Sequence, residues 1–166
     1  MNNNLAIQDM SFGYPEHGGV MDHLVAEIYP YLKGTKCKVM REQKYHWDED
    51  EKEENRFPDV SILCDDRRRK KLAYTGVPRF IAEVLSDSTE EIDRNEKKNL
   101  YEMIGVEEYW IMDWRKRTIE RYVLDDMGEK YILHDIVDDS NGEGLSLLSM
   151  PLVKLDFGAI FNLENY

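Results

Sequence analysis

Apolar residues recur every four positions between residues 18 and 33, where Val20, Leu24, Ile28 and Leu32 form one stripe. That period predicts an amphipathic helix, with Pro30 placed to bend its last turn. The pattern then changes. "CKVMREQKYHW" (37–47) reads as a strand, "FPDVSILCD" (57–65) as a more buried strand and "RFIAEVLS" (79–86) as a third, introduced by the turn chemistry of "YTGVP". Helical spacing returns at Ile92, Leu100, Met103 and Ile104, with Ser88 and Glu91 in capping-box register ahead of it and Gly105 placed to close it. From residue 107 onward "EEYWIMDW", "TIERYVLDD" and "KYILHDIV" predict antiparallel strands, and "PLVKLDFGAIF" a short final turn packed on the core. Helix, strands, helix, strands is the order of an α/β or α+β fold, a mixed central β-sheet flanked by helices.

Composition bounds the picture. The 166 residues, 42% of them hydrophobic, fill one core, so a single domain over residues 1–166 is expected. No run approaches the roughly 20 apolar residues of a membrane helix, and "MNNNLAIQDM" lacks a secretion signal, which predicts a soluble, cytoplasmic protein with no membrane partner. Cys37 and Cys64 sit in strand-like runs without metal-ligand spacing, so two reduced, buried thiols are expected, with neither disulfide nor zinc. A net charge of −12 argues against nonspecific affinity for nucleic acid, and any such site must be local. The charge is uneven: residues 48–55 concentrate acid, and Arg67, Arg68, Arg69, Lys70 and Lys71 concentrate base. Both runs are what a solvated loop also shows.

The chemistry begins with two acids in apolar strands. Asp59 opens one, Glu83 lies inside "IAEVL", and a carboxylate in such a run needs a partner. If the strands pair, the two side chains converge, and a hard divalent cation binds through one or two carboxylates with water and substrate phosphate. Asp93, Lys97 and Tyr101 are spaced by four on the following helix, so Lys97 can project over the carboxylates. The plainer alternatives are strand-end capping, a buried ion pair, and an exposed Asp93–Lys97 pair.

In their order and spacing "FPDVSILCD", "GVPRFIAEVLSDST", "DRNEKKNLY" and "GVEEYWIMD" resemble the Uma family of putative restriction endonucleases, a branch of the PD-(D/E)XK nuclease superfamily. The resemblance runs from about His17 to Phe161 and implies a restriction-endonuclease-like core. It implies a DNA phosphodiester hydrolase using Mg²⁺, with Mn²⁺ as a substitute, held by Asp59, Glu83 and the backbone carbonyl of Val84. Lys97 corresponds to the assisting basic residue, and a homodimer is the common state of such nucleases. The common superfamily pattern has lysine two residues after the second acid, where this chain has Leu85. That departure motivates the alternative of a catalytically inactive nuclease-fold binding or assembly protein. Glu27 on the first helix is weighed as a third metal oxygen against a rim or core-edge pairing, and His17 matches a helix-opening histidine of the family without an assigned role.

Other chemistries fall away. His17, His23, His46 and His134 lack the paired spacing of a zinc enzyme, and no phosphate-cradling glycine loop, nucleophile elbow or serine triad is visible. Tyr109, Trp110, Trp114, Tyr122 and Tyr131 read as core packing before base stacking. The basic run between the two acid-bearing strands reads either as solvated charge or as a contact to DNA phosphates.

Overall fold

The computed structural model describes residues 14–65, 67–164 and 166. The opening stretch read for a secretion signal lies outside them. Helix α1 (Pro15–Leu32) begins on Pro15, whose fixed φ suits a first turn, and buries Val20, Leu24, Ile28 and Leu32 as the stripe predicts, with Met21 beside them. Pro30 sits inside its last turn. Strands β1 (Lys38–Arg41), β2 (Val60–Leu63) and β5 (Phe80–Val84) follow, interrupted by a separate small hairpin of β3 (Arg69–Lys70) and β4 (Ala73–Tyr74). The expected strand over 37–47 is shorter because Glu42 takes a left-handed φ of 48° and turns the chain away from the sheet.

The second helical segment is α2 (Glu90–Ile92), a π turn over Asp93–Lys97, and α3 (Lys98–Ile104), closed by Gly105 at φ 85°. The capping box expected from Ser88 and Glu91 does not form. The cap residue is Thr89, the Ser86 carbonyl accepts the Thr89 and Glu90 N–H groups, and the Ser88 hydroxyl lies against that of Ser86. Strands β6 (Glu108–Asp113), β7 (Thr118–Leu124) and β8 (Tyr131–Val137) are the predicted antiparallel set, and α4 (Phe157–Ile160) is the predicted final turn, capped by the Asp156 side chain.

The result is a mixed α+β fold around a six-stranded sheet of order β1-β2-β5-β6-β7-β8, in which β5 and β6 are parallel and the other neighbours antiparallel. Alternation along β5 sends Phe80, Ala82 and Val84 to the α1 side and Ile81 and Leu85 to the α3 side, so the two faces carry separate apolar clusters. Glu83 shares the α3 face. Among the described residues no helix is long and apolar enough to cross a membrane.

The cysteine expectation is overturned: Cys37 and Cys64 form a disulfide. Lys38 pairs with Leu63 in the β1–β2 ladder, so the next position outward sets Cys37 opposite Cys64. They stand 27 positions apart in the sequence, and their proximity follows from strand register alone.

Candidate active site

The β2–β5 ladder pairs Val60 with Ala82, and one step further it sets Asp59 opposite Glu83. Backbone and side chains lock this arrangement reciprocally. Asp59 Oδ2 accepts the Val84 N–H at 2.7 Å, and the Asp59 N–H points to Glu83 Oε2 at 3.4 Å. The two acids therefore converge because antiparallel neighbours directly opposite one another face the same side of a sheet.

The segment crossing that face supplies their partners. Lys97 Nζ lies 3.0 Å from Glu83 Oε2 and 2.7 Å from Asp93 Oδ1, while Tyr101 donates its hydroxyl to Glu83 Oε1 at 2.6 Å. Asp93 is held in turn by the Thr89 hydroxyl, and Tyr109 donates to the Asp93 carbonyl within the π turn. The spacing of four thus does bring Asp93, Lys97 and Tyr101 to one stripe. The Asp93–Lys97 pair is not the exposed surface pair weighed above, since the Asp93 side chain is 1% exposed and that of Lys97 20%.

Electrostatically the cluster is short of positive charge: Asp59, Glu83 and Asp93 surround one ammonium. Burial pushes the Glu83 carboxyl up to about 8, with Lys97 opposing the rise and Asp59 adding to it. Burial likewise pushes Asp59 up to about 6 against the pull of Lys97. Burial works against the charge of Lys97, but Glu83, Asp93 and Asp59 outweigh it and hold the ammonium above its ordinary range. A hard cation would relieve this deficit. Among the described residues no three His, Cys, Asp or Glu side chains gather as an all-protein metal cage. The donor set nevertheless fits Mg²⁺, which commonly takes one or two carboxylates and completes its shell with water and substrate phosphate.

Access is from one side. A cleft of about 280 Å³ is lined by His17, Arg41, Asp59, Ser86, Thr89 and Lys97 among others, and Glu83, fully buried, lies behind it. His17 Nε2 donates to the Val84 carbonyl at 2.7 Å and stands 3.6 Å from Asp59 Oδ2. The carbonyl considered as a metal ligand is therefore engaged by His17. Burial lowers the pKa of this imidazole, and the Val84 carbonyl and Glu83 offset that only in part.

His17 and Tyr101 are the site residues to which sequence reasoning gave no role. A signal existed for His17, because it lies three residues before Val20 and seven before Leu24, on the buried stripe of α1. Glu27 does not join the site: its carboxylate accepts the Asp156 N–H at 2.9 Å, the core-edge pairing weighed as its alternative. The basic run lies outside the cleft, on the β3–β4 hairpin. Tyr109 and Trp110 are fully buried, in keeping with core packing.

Comparison with known proteins adds to this geometry. Residues 3–158 match the Uma2 family, described as "Putative restriction endonuclease". An uncharacterized protein of Synechocystis sp. is 37% identical over 78 residues, which is 46% of this chain and 41% of that relative's length. A crystal structure from Anabaena variabilis, described as a putative nuclease belonging to DUF820, superposes with a TM-score of 0.68 at 14% identity, covering 88% of this chain and 80% of that one. At that identity the likeness is one of fold.

Proposed function

The chain belongs to the Uma2 family, and from that premise we propose that it is a divalent-metal-dependent nuclease hydrolysing DNA phosphodiester bonds at the Asp59–Glu83–Lys97 cluster. The observation that carries this reading is the buried, charge-deficient convergence of Asp59 and Glu83 beside Lys97 at a cleft. It is the arrangement implied by the resemblance to the PD-(D/E)XK superfamily, with the lysine relocated to the helix.

Asp59 and Glu83 would hold Mg²⁺ or Mn²⁺, with the Val84 carbonyl adjacent. A divalent cation bound there supplies Lewis-acid neutralisation of a phosphodiester. The residues of the chain do the positioning. Tyr101 and Lys97 fix the two oxygens of Glu83, and the Val84 N–H fixes Asp59. Lys97 stays an ammonium, so it serves as a charge that stabilises a developing phosphorane and not as a base. Arg41, also at the cleft wall, is paired with Asp22 and with Glu42, so it would reach a phosphate only by giving up one of those partners. Cutting both strands of a duplex takes two such sites, so a homodimer belongs to this reading and light scattering tests it.

A specific observation favours a second reading, an inactive nuclease-fold binding protein. Leu85, which stands where the common pattern has lysine, is 1% exposed in the apolar cluster on the α3 face, so activity depends wholly on Lys97. Supercoiled and single-stranded DNA incubated with Mg²⁺ or Mn²⁺ separates the two. Nicking lost in both Asp59→Asn and Lys97→Ala supports the nuclease, whereas no nicking and no calorimetric metal binding by the wild type supports the scaffold.

A further inference from the structure

Arg67, Arg68, Arg69, Lys70 and Lys71 are five consecutive cations in a chain of net charge −12, and all five are exposed. They lie on and beside the β3–β4 hairpin, which forms its own two-stranded sheet outside the main one. Lys71 turns the chain with a φ of 58°, and Leu72 stands at the tip with 87% of its surface exposed. A single exposed apolar residue is ordinary on a protein surface, as Leu152 at 86% exposed also shows, and what sets Leu72 apart is its place at the tip of a basic hairpin.

The hairpin is anchored close to the cleft. The Tyr74 N–H donates to the Lys44 carbonyl at 3.0 Å, and the His46 N–H donates to the Tyr74 carbonyl at 2.9 Å. Residue 44 comes two positions after Glu42, which lines the cleft. Two residues span at most about 7 Å, so the segment that holds the base of the hairpin lies within about 7 Å of the cleft wall along the chain. Each DNA strand carries a phosphate about every 3.4 Å of helix axis, so a duplex seated at the cleft presents phosphates to the hairpin a few nucleotides away. A two-stranded ribbon also fits a major groove about 12 Å wide, where an apolar tip can meet the thymine methyl groups on the base edges.

We propose that the β3–β4 hairpin is a duplex-DNA contact: its cations bind backbone phosphates beside the cleft and Leu72 enters a groove. This rests on the nuclease reading. It also reconciles the acidic chain with a polyanionic substrate, because the contact is local. Two acids stand against it in the free protein, since Asp48 Oδ1 lies 3.6 Å from Lys70 Nζ and Asp65 Oδ1 lies 3.1 Å from Arg67 Nε. DNA must displace those pairs.

The test is fluorescence anisotropy of a short labelled duplex without divalent cation, over a salt series from about 50 to 200 mM. Three neutralised cations in R68A/K70A/K71A should make the log–log salt slope shallower by about 2 to 3 and weaken binding by roughly tenfold or more, most at the low-salt end of the series. Leu72→Ser should weaken binding with no change of slope. Calorimetric Mn²⁺ binding and the thermal midpoint should be those of the wild type in both variants. Duplex binding by the triple variant with wild-type affinity and slope would overturn the hairpin assignment while leaving an Asp59-dependent nicking activity, and so the nuclease reading, intact. A wild type that nicks nothing and binds no duplex removes both readings. Binding to anionic vesicles in preference to duplex would overturn the hairpin as a DNA contact.

Discussion

Lys97 and Glu83, fourteen residues apart, form a buried ion pair of 3.0 Å between the helical segment and the central strand of the cleft. Glu83 has no exposed surface, and Lys97 is the one cation within reach of both it and Asp93 among the described contacts. Such a pair is strongly coupled to whatever neutralises its neighbours.

Lys97→Ala should destabilise the protein by about 3–5 kcal/mol near pH 8, because it leaves Glu83 and Asp93 buried without their cation. The loss should shrink at pH 5, where Glu83, whose carboxyl burial pushes up to about 8, is neutralised by its own proton. Urea midpoints at the two pH values check this, and an equal loss at both would refute it.

The raised carboxyls set the sign of the pH dependence. Between about pH 5 and 8 the unfolded chain has released the protons of residues 59 and 83, while the folded protein holds that of Asp59 up to about 6 and that of Glu83 up to about 8. The unfolded state therefore binds fewer protons, and this contribution to stability falls as pH rises through that window. Glu83→Gln should flatten the slope of thermal midpoint against pH. Adding Mn²⁺ should raise the wild-type midpoint most at the alkaline end, where fewer protons compete for the carboxylates.

Tyr101→Phe removes the donor that meets Glu83 Oε1 at 2.6 Å and leaves a buried oxygen without it. The cost should be about 1–3 kcal/mol. If Tyr101 positions Glu83, Mn²⁺ affinity in calorimetry should also change and the stability–pH slope should steepen. A purely structural hydroxyl would shift stability alone.

Loss of the Cys37–Cys64 bridge by Cys37→Ser/Cys64→Ser should cost about 3–4 kcal/mol on chain-entropy grounds, given its sequence separation of 27. Thiol labelling before and after reductant, with denaturant midpoints for each form, gives the answer. Full labelling of the untreated protein would show that the bridge does not form in solution.

What the sequence determined by itself is local in origin. The stripe of α1, the apolar and aromatic runs of β6 to β8 and the four-residue spacing of Asp93, Lys97 and Tyr101 are each legible within one short window of the chain. Local pattern also places Asp59 at the start of one strand and Glu83 inside another, and it exposes the cost of burying them. Tertiary structure decided everything that joins distant segments. Register brings Asp59 opposite Glu83 and Cys37 opposite Cys64, α1 delivers His17 to the Val84 carbonyl, and the loop before α4 takes Glu27 away from the cleft. The Ser88–Glu91 capping box failed for a similar reason, since the chain leaving β5 through Ser86 supplied the cap interactions first. A one-residue slip in β2 would have turned Asp59 to the opposite face with no change in any local propensity. The choice of register lies in how the two apolar faces bury against α1 and α3, a free energy spread over the whole sheet and written in no single segment.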